Sequence, residues 1–260
     1  MARDSDRYDR VAADYSRYRP RYPDRLVADL AGRIGAVSPA GEAVWVLDIG
    51  CGTGAFTRQL RAALPDARIT GVEPGETMRA QALAETPAEA DITYIDGSAE
   101  AIPAGDAAAQ AIVAATAVHW FDRPAFYAEA RRVLAPGGVL AIVEYVRDTE
   151  RRPLAAALVE FMARFGSRRA YTAADYRAEI TAAPGFGAVG DLSLHCSLPL
   201  TIDEFVGLAL SSSHAAGLVE RFGDAGARAA LRELALPHRV DGGDVRFGYL
   251  FQSITARRDR

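Results

Sequence analysis

Asp48, Gly50, Gly52 and Gly54 lie in the run Val44–Phe56, where a stretch of apolar residues gives way to alternate glycines and then to a helical pattern. Glycine lets the backbone turn sharply and lets a ligand approach the main chain with no Cβ between them. A carboxylate, Glu73, closes the next apolar run, 23 residues beyond Gly50. An acid at that place can accept hydrogen bonds from two ribose hydroxyls, or it can simply cap the helix that follows Pro74. Gly50-Cys51-Gly52-Thr53-Gly54-Ala55 also satisfies the dinucleotide pattern, whose third position tolerates Ala. From the residues alone the loop therefore specifies an adenosine-containing ligand, and both readings of the ligand stay open.

His119 follows the fourth apolar run, where the carboxyl edge of a parallel sheet would face a second substrate. It is the histidine placed to act as a general base or to orient an acceptor, and His119-Trp120 can equally shape a pocket wall. His195, His214 and His238 are scattered without ligand spacing to carboxylates or cysteines, so no metal site is expected. His214, after Ser211-Ser212-Ser213, is a candidate for the far side of the pocket. Cys51 reads as a small buried residue of the loop, not as a nucleophile.

These residues need a scaffold, and the apolar runs supply one. The runs 44–49, 69–73, 92–95, 111–118 and 138–146 are continuous rather than alternating, as in strands covered on both faces. Helical patterns between them cover 55–64, 76–85 and 124–135; the last has Asp122 to cap it and Pro136-Gly137-Gly138 to stop it. Before them, Leu26, Val27, Leu30 and Ile34 give a helix an apolar face, with Asp24 as its cap. This rhythm predicts an α/β fold, doubly wound around a mostly parallel seven-stranded sheet with helices on both faces. Residues 147–260 change character, with helical patterns at 153–165, 173–181, 202–213 and 224–236 and strand-like pieces at 186–200 and 245–255. Thr172 with Asp175 and Thr201 with Glu204 have capping-box spacing. The expected organisation is one domain, 1–260. It has N-terminal lid helices in 1–35, a core in 44–146, a cap and sheet completion in 147–240, and a last strand at 245–257.

Composition removes several alternatives. All 30 basic residues are Arg, and the chain lacks Lys entirely, which excludes Schiff-base and P-loop chemistry. Net charge is −4 with no basic block, so a nucleic-acid partner is not expected. Two cysteines build neither a disulfide framework nor a four-cysteine zinc site. The charged N-terminus and the absence of a long apolar run predict no signal peptide, no membrane and a cytoplasmic protein.

Asp48-Ile49-Gly50-Cys51-Gly52-Thr53-Gly54 resembles the first motif of class I S-adenosylmethionine-dependent methyltransferases, in which an acid precedes the glycines by one residue. Val72-Glu73-Pro74 with Met78 resembles their second motif, and Gly97–Pro103 the segment that closes over adenine. Val118–Asp122 and Arg132–Gly138 complete the series in order, and the wording is similar to the small-molecule branch known as type 11, which includes trans-aconitate methyltransferase. Ser98 stands where many relatives have Asp. The resemblance covers residues 8–146 well and the remainder loosely.

The resemblance implies S-adenosyl-L-methionine as cofactor and S-adenosyl-L-homocysteine as product. It places Asp48, Gly50, Cys51 and Gly52 at the methionine portion, Glu73 and Pro74 at the ribose, and Met78, Ser98, Ala99 and Glu100 around adenine, with Thr116 beside them. It also implies an N-terminal lid whose Tyr15 and Arg19 lie near the cofactor carboxylate. Tyr22, His119, Trp120, Tyr145 and His214 are then expected around a small-molecule acceptor, beneath a cap holding Phe161, Met162, Phe165, Tyr171, Tyr176 and Phe205 with Arg168 and Arg169. The implied reaction is in-line methyl transfer to O, N or C in a desolvated pocket by a monomer or homodimer. Use of the cofactor without transfer, as in a cyclase, and a nicotinamide oxidoreductase are the alternatives.

Overall fold

Each apolar run becomes a strand, and burial of both faces is what selects a parallel sheet over a solvated one. The computed structural model describes residues 20–37, 43–166, 174–212, 214–240 and 242–260. In chain order the elements are α1 (Asp24–Gly35), β1 (Trp45–Ile49), α2 (Ala55–Ala63), β2 (Arg68–Val72), α3 (Glu76–Glu85), β3 (Ile92–Ile95), β4 (Ala109–Ala115), α4 (Arg123–Val133) and β5 (Leu134–Arg147). They continue with α5 (Pro153–Phe165), α6 (Tyr176–Ala182), β6 (Phe186–Leu200), α7 (Ile202–Leu210), α8 (Ala215–Ala235) and β7 (Val245–Arg258). The strands form one seven-stranded sheet in the order β3-β2-β1-β4-β5-β7-β6. The first four pairings are parallel, and β7 runs antiparallel between β5 and β6. The order reverses between β1 and β4, and that switch point opens a crevice at the carboxyl ends of those strands.

Two cores cover the two faces. One includes Leu26, Leu30, Phe56, Leu60, Val113, Val143, Leu158, Phe205, Leu231 and Phe247, so α1, α2, α5, α7 and α8 share that side. The other includes Leu47, Ile112, Phe126, Ala130, Leu140, Ile142, Tyr176 and Ile180, under α4 and α6. Alternation along β5 divides its side chains between the two: Val143 belongs to the first face and Ile142 to the second.

Several expected boundaries change. Pro23, not Asp24, is the N-cap of α1; Asp24 is the first helical residue, ion-paired to Arg21. Helix α4 ends at Val133, before the Pro-Gly-Gly expected to stop it, because Leu134 already pairs with Ala109 as the start of β5. Asp175 is itself the N-cap of α6, accepting from the Ala178 amide at 2.9 Å; its expected partner Thr172 lies outside the described residues. The Thr201–Glu204 capping box forms as expected, while α7 stops at Leu210 rather than 213. Helix α8 begins at Ala215, nine residues earlier than the pattern indicated, and runs through a non-helical Gly223. Tyr176, expected in the cap, instead packs under α6 on the opposite face from Phe161, Phe165 and Phe205. Arg168, Arg169 and Tyr171 lie outside the described residues. No helix among the described residues is long and apolar enough to cross a membrane.

Candidate active site

The glycine loop is built from strand ends upward. Asp48 sits on β1 between Gly71 of β2 and Val113 of β4, and is fully buried. Beyond it the chain folds over the end of β2, with the Gly50 and Cys51 amides both donating to the Val72 carbonyl, at 2.8 and 3.2 Å. Gly50 (φ +67°) and Gly52 (φ +56°) hold left-handed backbone, where a Cβ is strained. Their surroundings differ. A Cβ on Gly50 would meet the Ala117 Cβ at 2.8 Å and the Phe121 ring at 3.1 Å, so the 117–121 segment lies directly on the loop. A Cβ on Gly52 would meet nothing within 4 Å.

Glu73 joins this loop to the next strand. Its Oε2 accepts from the Gly52 amide and its Oε1 from the Gly75 amide, both at 2.9 Å. Glu73 thus braces the turn into α3, close to the capping reading, and also fixes the glycine loop, a contact that neither reading named. A carboxylate offers about four acceptor sites, so its oxygens can serve more partners than these two amides.

Asp48 is the electrostatic peculiarity of the site. Thr57 donates to its Oδ2 at 2.6 Å, while its Oδ1 is buried with no hydrogen-bond partner. Burial pushes the Asp48 carboxyl up to about 7, opposed by the Thr57 hydroxyl and assisted by the nearby Glu73 charge. Burial, with the Asp48 and Glu73 charges, also pushes the Cys51 thiol well above its ordinary value, which keeps it protonated and un-nucleophilic. The orphaned Asp48 oxygen, the paired Glu73 oxygens and the open side of Gly52 fit a ligand carrying an ammonium group and a ribose.

The remaining expected cofactor residues are placed as follows. Pro74 is exposed at the start of the turn, and Met78 is buried in the first turn of α3, outside both large core clusters. Ser98 and Ala101 form an isolated bridge. The Ala99 side chain enters the core, which leaves its main chain to border a ligand. Glu100, exposed, accepts from the Asp122 amide at 2.9 Å and so ties this segment to the start of α4. Arg132 secures the same segment through the Ile102 and Ala104 carbonyls, Glu129 and Asp106. Tyr15 and Arg19 lie outside the described residues.

At the end of β4, Thr116 takes a left-handed φ of +51°, rare for a β-branched residue, and its hydroxyl is 2.7 Å from the Tyr22 hydroxyl. Tyr22 is buried against Phe56, Tyr145 and Phe251, so Tyr22, Thr116 and Tyr145 share one face of the sheet. The Gln59 side chain holds Tyr22 by both main-chain groups, accepting from its amide at 3.1 Å and donating to its carbonyl at 2.8 Å. Gln59→Ala removes both bonds inside the protein and is expected to cost about 1–3 kcal/mol. An unchanged urea midpoint would show that the clamp does not hold this end of the chain.

His119 and Trp120 lie in a single 3₁₀ turn, Val118–Trp120, between Thr116 and α4. His214 is elsewhere, at the start of α8 beside Gly166 at the end of α5. The fold also makes pairings that the sequence spacing did not suggest. His195 Nδ1 lies 2.9 Å from Asp148 Oδ2, although no group of three or more possible metal ligands occurs among the described residues. Glu144, on β5, lies beside His119, with Oε1 at 3.8 Å from Nδ1. The signal available for Glu144 was a lone charge inside the apolar run 138–146. Thr57 and Gln59 gave none beyond being polar on an apolar helix face.

Residues 47–142 match the model of a methyltransferase domain. The chain is 36% identical over 96 residues to a malonyl-[acyl-carrier protein] O-methyltransferase of Hahella chejuensis, covering 36% of this chain and 34% of that protein. It is likewise 36% identical over 152 residues to an uncharacterised methyltransferase of Mycobacterium tuberculosis, covering 58% of this chain and 57% of that one. The chain thus spans only a third to somewhat over half of the length of these curated relatives. Among solved structures, a candidate type II methyltransferase from Anaeromyxobacter dehalogenans superposes with a TM-score of 0.66 at 27% identity, over 93% of this chain and 98% of that one. The glycine loop, the acid closing β2 and the strand order agree with these likenesses: residues 47–142 are similar to a methyltransferase domain, and the chain shares the fold of a methyltransferase.

Proposed function

We propose that the protein transfers a methyl group from S-adenosylmethionine to a small-molecule acceptor bound between the carboxyl edge of the sheet and the helices α5, α7 and α8. The observation that carries this reading is the Glu73 carboxylate, fixed by the Gly52 and Gly75 amides at the switch point with open space beside Gly52. When bound, S-adenosylmethionine supplies a methyl group on a sulfonium, whose positive charge disperses as the methyl leaves.

The chain's own part is then to bind, orient and exclude water. Glu73 would take the ribose hydroxyls, the Gly50 and Gly52 main chain the methionine portion, and Asp48 the ammonium. Met78, Ser98, Ala99 and Glu100 would surround adenine, Pro74 would lie beside the ribose, and Thr116 and Cys51 would complete the wall. Holding acceptor and methyl in a near-attack pose is worth roughly 7–11 kcal/mol. That can suffice where the acceptor already has a lone pair, and a base such as His119 is needed where it must lose a proton. Tyr22, Trp120 and Tyr145 would flank that acceptor, and His214 would close the cap side. The related O-methyltransferase of Hahella chejuensis supports an oxygen acceptor. A cytoplasmic monomer or homodimer acting on no nucleic acid suits the charge balance.

Calorimetry with S-adenosylmethionine, S-adenosylhomocysteine and NAD tests the site, and a panel of acceptors with methyl-labelled cofactor tests the reaction. Binding of the first two ligands and not NAD is expected, with label passing to an acceptor. Binding of NAD alone would refute the proposal.

A further inference from the structure

We propose that Glu144 is the positioning residue of a His119–Glu144 base, which makes the acceptor a molecule with an ionisable hydroxyl group. This rests on the methyl-transfer reading and specifies its substrate class. Glu144 shares its face of β5 with Leu140 and Ile142, whose side chains pack in the core under α4 and α6. Its Oε1 is buried and makes no hydrogen bond among the described residues. A buried carboxylate is costly, and an apolar residue of similar size would pack there at least as well. Its placement therefore calls for a partner, and the nearby one is the His119 imidazole, at 3.8 Å. That separation is too long for a hydrogen bond, but catalytic hydrogen bonds are often long without substrate and tighten when it binds.

His119 is joined to the cofactor side by the packing of Ala117 and Phe121 on Gly50. Its side chain remains 23% exposed while that of Glu144 is only 10% exposed, so the imidazole is the more accessible of the two and the carboxylate lies deeper. With Nδ1–H directed to Glu144, Nε2 is the nitrogen that would carry the lone pair toward the acceptor. The acceptor hydroxyl gives its proton to Nε2 as its oxygen lone pair forms the bond to the methyl carbon. The carbon–sulfur bond breaks with its electron pair going to sulfur, leaving a neutral thioether. The imidazolium, stabilised by the Glu144 charge, then releases its proton to solvent.

The test uses the full chain labelled with ¹⁵N-histidine, the His119 signal being assigned by its loss in His119→Ala. Wild type at alkaline pH is expected to show the Nδ1–H tautomer of His119, and Glu144→Leu the Nε2–H tautomer that free histidine prefers. Glu144→Gln keeps an acceptor oxygen without the charge, so the tautomer should persist. Both variants should bind S-adenosylmethionine as wild type does. On an acceptor found in the labelled panel, both should lose turnover by on the order of 10²-fold, the usual contribution of general-base catalysis. An Nε2–H tautomer in wild type, or one unchanged in Glu144→Leu, would overturn the positioning role and leave the methyl-transfer reading standing. Failure of wild type to bind S-adenosylmethionine would instead remove that reading, and with it the catalytic purpose of the pair.

Discussion

Asp48→Asn is expected to yield a protein that is more stable than wild type above neutral pH and yet holds S-adenosylmethionine more weakly. Burial raises the Asp48 carboxyl from its ordinary 3.8 to about 7, so the folded state favours the neutral form. The stability this group contributes is therefore fully present below the unfolded value and is lost as pH rises through the folded one. That rise corresponds to about 4 kcal/mol, which wild type forfeits above neutrality and an amide does not. Urea denaturation should find the two proteins close near pH 4 and separated, by up to that amount, near pH 8. Equal midpoints at both ends would contradict the assigned titration.

The same group predicts a linked proton. A cationic ammonium near the orphaned Asp48 oxygen favours the carboxylate, so binding of S-adenosylmethionine near neutral pH should release a proton. Calorimetric heats should then vary with the ionisation enthalpy of the buffer, and they should not in Asp48→Asn. Loss of a hydrogen bond to a charged group should weaken binding by about 1.5–3 kcal/mol.

Gly52→Ala separates binding from folding. Left-handed backbone costs a non-glycine residue about 1–2 kcal/mol, and the new Cβ touches nothing among the described residues. Its fold should therefore persist with a modest loss of stability. The methyl group would occupy the space through which a ligand reaches the loop amides, and affinity for S-adenosylmethionine should fall at least tenfold, that is by about 1.4 kcal/mol or more. Gly50→Ala is the control with the opposite balance. There the Cβ meets Ala117 and Phe121, so overpacking of about 1–3 kcal/mol adds to the backbone strain. Unimpaired binding by Gly52→Ala would mean that the ligand lies away from this loop.

The strands of the sheet were legible in the sequence because continuous apolarity is a local property. The runs 44–49, 69–73 and 92–95 each needed only their own residues to read as buried strands, and they are β1, β2 and β3. The glycine loop was legible for the same reason, since the turn, its glycines and the strand before it are contiguous. Boundaries were harder wherever pairing overrode local signals, as at Leu134, where β4 recruits the chain into β5 ahead of Pro136-Gly137-Gly138.

What the sequence determined by itself was a mostly parallel α/β sheet with a glycine loop at its switch point, because both are written in neighbouring residues. Only the tertiary structure decided that Gln59 clamps Tyr22, that Tyr22 reaches Thr116, that Asp148 meets His195 and that Glu144 stands behind His119. Those partners come from different strands and helices, brought together by the strand order and by which face each strand turns to each core. Spacing along the chain carries no trace of such meetings, and so the charge within an apolar strand became intelligible only once its neighbour across the sheet edge was in place.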